Sequence, residues 1–493
     1  MNSRAVSADR SNGTKKGKFA DPAQYTPHFS WRFLDGGARG AQTLHCEMVS
    51  LERIAEAVGT PAYVYSRSSI EGAYRQLDRG FGSLPHALCY ALKANANLSI
   101  LRVLARLGSS FDIVSGGELE RLRCVGVAGE RIVFSGVGKT RNEIRSAIRY
   151  RSPTCGARGI LLFNVESEGE LEVLLDEAAE HVKSGGERVP AAIRVNPDIL
   201  AGGHPHISTG YRHHKFGIEW QQALRLYLLH KDSRWIAWRG ISAHIGSQIV
   251  ALGPFRRACE KLALYVRELA MKGISLDYVD IGGGLGIRYT NELTPDPARY
   301  AGAVAKIVRP LGSKLLLEPG RVLIGPAGVL LTRVLYVKQN RGKRFVIVDA
   351  AMNDLIRPAL YGAAHAITKA TRASFERAPS ARPDVVGPVC ESGDFLARDW
   401  ALPDVKPGDL LVVWATGAYG FVQSSNYNAR LRPPEILVKG RTFRVIRRRQ
   451  NYADLVRGEE VPDGKPWVTR RGIGQELWPR DDVGSAPRPF NQG

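Results

Sequence analysis

The chain has 493 residues, 44% of them hydrophobic and 24% charged, which is the composition of an ordinary globular protein with room for two or three domains. No apolar run approaches the roughly 20 residues that span a bilayer, and the basic N-terminus (Arg4, Arg10, Lys15, Lys16, Lys18) lacks the apolar core of a secretory signal. The sequence therefore predicts a cytoplasmic protein with no membrane partner. The formal net charge of +21 is spread along the chain, densest at Arg447-Arg448-Arg449, with no helix-turn-helix, zinc-finger or RNP pattern beside it. No nucleic-acid partner is expected, and a general positive field or simple solubility accounts for the charge.

In chain order, residues 1–25 are polar, basic and aperiodic and read as a disordered extension. Residues 26–66 form an N-terminal segment whose strand-like stretch around Pro61–Tyr65 is expected to pair with a later β-domain. Within it Asp35-Gly36-Gly37-Ala38-Arg39-Gly40 reads as a flexible turn without a function. From 67 to 320 eight β-like runs follow: His86–Lys93, Ser110–Val114, Arg131–Ser135, Gly159–Asn164, Pro190–Val195, Gly240–Ile245, Leu276–Ile281 and Lys314–Glu318. The stretches between them, such as Leu98–Leu107, Ser167–His181, Pro254–Met271 and Pro297–Val308, carry apolar residues at helical spacing. This alternation predicts an α/β protein with a parallel (β/α)8 barrel of the TIM type. From 321 to 461 the pattern changes to β-like runs, Val322–Leu335, Arg344–Asp349, Arg382–Val386, Asp409–Trp414 and Pro434–Val438, with turns such as Lys406-Pro407-Gly408-Asp409. These predict an all-β C-terminal domain. Residues 462–493 are rich in Pro, Gly and charge and read as a tail.

Six cysteines (Cys46, Cys89, Cys124, Cys155, Cys259, Cys390) include no CxxC pair, which speaks against a disulfide scaffold or a zinc site, and no metal is expected.

Chemistry in a βα barrel collects at the C-terminal ends of the strands. Those positions carry Lys93, Asp112, Ser135, Asn164, Arg194, His244, Gly282 and Glu318. A lysine alone at a strand end reads as a surface amine, and His244 alone as a satisfied core residue. An amine, carboxylates, a guanidinium and an imidazole on one face read differently. The run Asp280-Ile281-Gly282-Gly283-Gly284-Leu285-Gly286 after the seventh strand offers backbone N–H groups to a phosphate. Glu318-Pro319-Gly320-Arg321 after the eighth adds further amides and a cation. Together they suggest pyridoxal 5′-phosphate: Lys93 as the Schiff-base amine, Gly282, Gly283, Gly284 and Gly320 around the phosphate, Glu318 on the pyridine nitrogen, and His244 against the ring.

The runs YALKAN, FDIVSGGEL, HIGSQ, DIGGGLGI, EPGR, NDLIRPALYGAAH, CESGD and GAYG, in that order between about Gly59 and Arg449, resemble those of diaminopimelate decarboxylases. These are fold-type III pyridoxal-phosphate enzymes, grouped with ornithine and arginine decarboxylases. The resemblance implies decarboxylation of meso-2,6-diaminopimelate to L-lysine and CO2, the last step of lysine biosynthesis. It implies Lys93 and Cys390 as catalytic residues, with Cys390 as the proton donor to the α-carbon. It implies Asp112, Arg321 and Tyr419 at the cofactor, and Arg321, Arg357, Tyr361, Glu391 and Tyr419 at the substrate. Arginines suit the distal carboxylate of that substrate. The resemblance also implies a homodimer in which the Cys390 loop reaches the partner's barrel. Two alternatives remain: a decarboxylase of another basic amino acid (ornithine, arginine, carboxynorspermidine), or a non-catalytic pyridoxal-phosphate-binding homologue.

Overall fold

The computed structural model describes residues 20–33, 41–152, 156, 159–200, 215–372 and 382–460. The extension up to residue 19, the turn Asp35–Gly40, Cys155 and the 462–493 tail lie outside the described residues. Within the 1–25 stretch Pro22–Gln24 forms a turn of 3-10 helix, capped by the Asp21 carboxylate, which accepts from the Ala23 N–H at 3.0 Å.

Eight strands, His86–Ala91, Ser110–Ile113, Ile132–Phe134, Leu162–Val165, Val189–Arg194, Ile236–Ser242, Tyr278–Asp280 and Lys314–Leu317, pair in parallel in chain order. The eighth pairs back on the first, with Leu315 opposite His86, and closes the barrel. Most residues of these strands are buried, as expected of parallel strands covered on both faces. The sixth strand begins at Ile236, four residues before the expected Gly240. A register shift between Trp238 and Gly240 breaks the alternation that would reveal its start. The strand also stops at Ser242, short of the expected Ile245, so His244 lies two residues past its end.

The covering helices begin where side chains can cap them. Asn97, Ser115 and Ser167 each accept from an N–H in the first turn of the helix that follows. Thr140 and Glu143 form a reciprocal capping box, and Asp296 precedes Pro297 at the first helical position of Pro297–Val308. Each cap contributes about 1 kcal/mol.

After the barrel, Arg321–Ile324 closes one helical turn and the extended chain resumes only at Gly328. The apolar run from Val322 does not by itself separate a buried helical turn from a strand. Gly328–Asn340 is then the centre of a mostly antiparallel sheet, pairing with Lys343–Val348, Leu410–Val413 and Ala62–Ser66. Ala62–Ser66 is wholly buried and also pairs, in parallel, with Glu435–Lys439. The hairpin partner Thr442–Arg447 is mostly exposed, so no apolar alternation marks it in the sequence. A smaller sheet joins Phe29–Phe33, Gln42–Cys46, Val49–Ser50 and Thr371–Arg372. Beyond Gln450 the described residues form a separate short unit, the helix Tyr452–Leu455 capped by Asn451.

A buried carboxylate ties barrel to sheet. Glu435 is fully buried and accepts from Tyr65 Oη (2.8 Å), Asn97 Nδ2 (2.9 Å) and Arg447 Nε (2.6 Å). Asn97 also caps the first barrel helix, so the start of that helix and the β-domain are fixed by one acceptor. Asn95 Nδ2 donates to Gly417 O at 3.1 Å, and the Tyr419 N–H donates to Ala94 O at 2.8 Å. The turn that carries Lys93 is thereby clamped from the sheet side.

Candidate active site

Lys93 sits in the one-turn 3-10 helix Leu92–Ala94 that ends the first strand. Its ammonium donates to Asp112 Oδ2 at 3.0 Å; the lysine side chain is 34% exposed and the aspartate not at all. Burial pulls the lysine pKa down, but the charges of Asp112 and Glu318 outweigh it and hold the ammonium above its ordinary value. Asp112 Oδ1 is buried and has no hydrogen-bond partner among the described residues. An acceptor left in that state is costly, and it marks the surround of Lys93 as one suited to a further donor.

Glu318 lies across the barrel mouth, 5% exposed, accepting from Ser135 Oγ at 3.2 Å. Burial, then the nearby Asp112 and Asp280 carboxylates, push its pKa well up. Such a carboxyl has a strong demand for a proton or a cation, which a protonated ring nitrogen would meet. Asn164 Nδ2 donates both to Ser135 Oγ (3.1 Å) and to Asp280 Oδ2 (3.2 Å), so the fourth strand supports this corner. Arg194, at the fifth strand end, is paired with the buried Glu166 at 2.8 Å; its role there is to hold the mouth together.

The glycine run answers to close packing as much as to a ligand. The Gly282 N–H donates to Asp280 Oδ1 (2.9 Å) and the Gly283 N–H to His244 Nδ1 (3.0 Å), so neither points freely at a phosphate. A Cβ on Gly283 would lie 2.1 Å from Glu318 O, and one on Gly284, whose φ is +104°, 2.2 Å from Gly246 O. Any side chain would force these loops apart. Among the described residues no acceptor meets the N–H groups of Gly284 and Gly320. His244 accepts at Nδ1 while burial, with Lys93 and Arg194 adding, drives its pKa well below the usual value. The imidazole is neutral, and Nε2 carries its proton.

On the sheet side of the mouth two buried arginines meet. Arg321 and Arg357 are 5% and 6% exposed, and both stand over the Tyr289 ring, at 5.8 and 5.1 Å from its centroid. Arg321 donates to Tyr289 Oη and, at 3.0 Å, to Ser247 Oγ, and its other face lies 4.7 Å from the Tyr419 ring centroid. Neither arginine has a carboxylate partner among the described residues, and Arg321 Nε is buried without an acceptor. Tyr361 accepts from Gln423 Nε2 at 3.3 Å. Cys390 and Glu391 stand apart. Both are exposed on the β-domain, and among the described residues no hydrogen bond or ion pair joins either to the mouth of their own barrel. The Cys390 N–H donates to Asn428 Oδ1 at 2.9 Å, and Glu391 meets Tyr427.

Lys93, Asp112, Glu318, His244, the glycines, Arg321, Arg357 and Tyr419 thus gather at one barrel mouth, and Cys390 and Glu391 do not. Tyr289, Ser247, Asp280 and His365 belong to this surround without having been singled out from the sequence. Ser247 and His365 lie inside recognised runs, and Tyr289 follows the glycine run by three residues; only the folded chain gives them partners.

The groups present fit pyridoxal phosphate: an amine, a buried acceptor beside it without a partner among the described residues, a proton-seeking carboxyl, and the Gly284 and Gly320 N–H groups that meet no acceptor there. The family model described as pyridoxal-dependent decarboxylase, pyridoxal binding domain, matches residues 67–325, and this defines the class of protein. Diaminopimelate decarboxylase of Pseudomonas aeruginosa is 48% identical over 418 residues, covering 85% of this chain and 97% of that protein. The enzyme of the same name from Neisseria meningitidis serogroup B is 45% identical over 417 residues, covering 85% and 97%. The crystal structure of diaminopimelate decarboxylase from Helicobacter pylori, complexed with L-lysine, superposes with a TM-score of 0.76 at 41% identity, covering 82% of this chain and 98% of that one. The chain belongs to the diaminopimelate decarboxylase family.

Proposed function

We propose that the protein is a pyridoxal-phosphate-dependent carboxy-lyase that converts meso-2,6-diaminopimelate to L-lysine and CO2. The observation that carries this substrate is the pair of buried guanidinium groups, Arg321 and Arg357, beside the Lys93 turn with no carboxylate to neutralise them among the described residues. A diamino acid with a second carboxylate supplies what they lack. Ornithine or arginine brings no distal carboxylate and would leave both cations buried and unpaired. The L-lysine bound in the Helicobacter pylori relative supports the same reading.

When bound, the cofactor supplies an aldehyde carbon to carry the amino acid and an electron-withdrawing pyridinium ring to accept the electron pair that departing CO2 leaves on the α-carbon. Lys93 would hold that carbon and Asp112 orient the amine. Glu318 would keep the ring nitrogen protonated, and neutral His244 would lie against the ring face. Gly284 and Gly320 would offer their N–H groups to the phosphate. Arg321, Arg357 and Tyr361 would hold the distal carboxylate, Tyr419 would pack against cofactor and substrate, and Glu391 would meet the distal ammonium. The Cys390 thiol would deliver a proton to the carbon that lost its carboxylate.

The exposure of Cys390 and Glu391 supports a homodimer whose active sites each combine one barrel with the other subunit's β-domain loop. Five free cysteines among the described residues agree with a reducing cytoplasmic setting. CO2 release measured side by side from diaminopimelate, ornithine, arginine and carboxynorspermidine tests the substrate. Diaminopimelate should dominate; an ornithine preference would overturn the reading.

A further inference from the structure

Two like-charged side chains buried against one ring need something to keep them in place. Arg321 is held at both terminal nitrogens, by Tyr289 Oη and Ser247 Oγ. Arg357 is held differently: its Nε–H donates to His365 Nε2 at 3.2 Å, and among the described residues neither terminal nitrogen has a hydrogen-bond partner of its own. A guanidinium has no lone pair to offer, so His365 Nε2 must be unprotonated. The ring proton is therefore on Nδ1, 2.8 Å from Trp414 O, which accepts it. Burial, with the Arg357 charge adding, pushes the His365 pKa down to about 3, so the imidazole stays a neutral acceptor at any working pH. Tyr289 stands edge-on to the same imidazole, with ring centroids 4.9 Å apart at 76°. His365 is fully buried and reaches the reaction only through Arg357.

We propose that His365, with Tyr289 as the wall it shares with both arginines, is a positioning residue for substrate selection. By occupying Nε it leaves both terminal amino groups of Arg357 as a fork for the carboxylate remote from the bond that breaks. The proposal deepens the diaminopimelate reading and rests on it. His365 acts on the retention of a carboxylate and not on the loss of the other. Its removal is therefore expected to change KM more than kcat.

The product allows a clean test, because L-lysine keeps the remote carboxylate while cadaverine (1,5-diaminopentane) lacks it. In the holoenzyme His365→Phe keeps a ring against Tyr289 but removes the acceptor. It should raise KM for diaminopimelate about tenfold with kcat within about threefold, the size of one charge-assisted hydrogen bond. Inhibition by L-lysine should weaken by the same factor and inhibition by cadaverine should not change. His365→Gln, whose amide oxygen can accept from Arg357 Nε, should recover most of the loss. The proposal is overturned if His365→Phe leaves KM unchanged, if lysine and cadaverine weaken together, or if Gln fares no better than Phe. Borohydride trapping of cofactor reports folding; a Phe variant that traps none is replaced by His365→Met and judged by the same ratios. An unsubstituted enzyme that fails to tell lysine from cadaverine would instead sink the substrate reading itself.

Discussion

At the barrel mouth Lys93 is bonded to Asp112, and Ser135 and Asn164 link Glu318 to Asp280, all within one chain. The loop from Cys390 to Asp394 is built the other way. Asp394 is buried and accepts from the Met352 and Val389 N–H groups, both at 2.7 Å, which fixes the loop's shape while Cys390 and Glu391 face outward. The first region is preorganised to hold a ligand within its own protomer. The second holds Cys390 and Glu391 outward, where the proposed homodimer would bring a partner's barrel to receive them. The difference locates the incomplete part of the proposed site in the β-domain and not in the barrel.

The comparison can be broken most sharply at its two ends. Lys93→Ala should lower turnover by about 10⁴-fold or more and abolish covalent trapping of cofactor by borohydride; persistent trapping would remove Lys93 as the amine. Cys390→Ala should cost about 10²- to 10⁴-fold in kcat, the range for a lost proton donor, with trapping at Lys93 intact. Mixing these two inactive proteins under exchange should then restore about a quarter of the activity, because a mixed dimer carries one complete composite site. Absence of any recovery would place both residues of each site in one subunit.

Asp394→Ala is expected next in size. It leaves two N–H groups without their acceptor, each worth about 1–3 kcal/mol when buried, so the melting temperature and kcat should fall together while trapping at Lys93 is unaffected. Equal loss of trapping would show that the loop and the barrel are not independent. The smallest effect concerns Asp354, 1% exposed beside this loop, whose pKa burial raises to about 7. The folded state holds its proton more tightly than the unfolded chain, whose carboxyl titrates near about 4. This contribution to stability is full below about pH 4 and is lost as pH rises through about 7. Denaturation midpoints across that range should show the decline, and Asp354→Asn should flatten it.

The barrel and the residues at its strand ends were legible because a parallel strand buried on both faces leaves a short apolar run and chemistry gathers at one end of each. Lys93, Asp112 and Glu318 could be placed by position alone. Tyr289 and His365 could not. They are joined through Arg357 across long stretches of chain, and no local spacing encodes a shared ring. The glycine run was legible as glycine, but its main cause was not: Gly283 must let Glu318 O approach, and its own N–H turns to His244. The helical turn Arg321–Ile324 escaped because its apolar residues suit a strand equally well.

The strand Ala62–Ser66 has a consequence for how the protein is made. All five residues are buried between Gly328–Asn340 and Glu435–Lys439, so on the ribosome this strand waits for about 260 residues of later chain before its first sheet partner exists. At about 5–20 residues per second that is tens of seconds. During this time a short apolar strand has both hydrogen-bonding edges bare, while the barrel that follows it can already close. A nascent-chain chaperone, or rapid docking on the finished barrel, would have most to protect there.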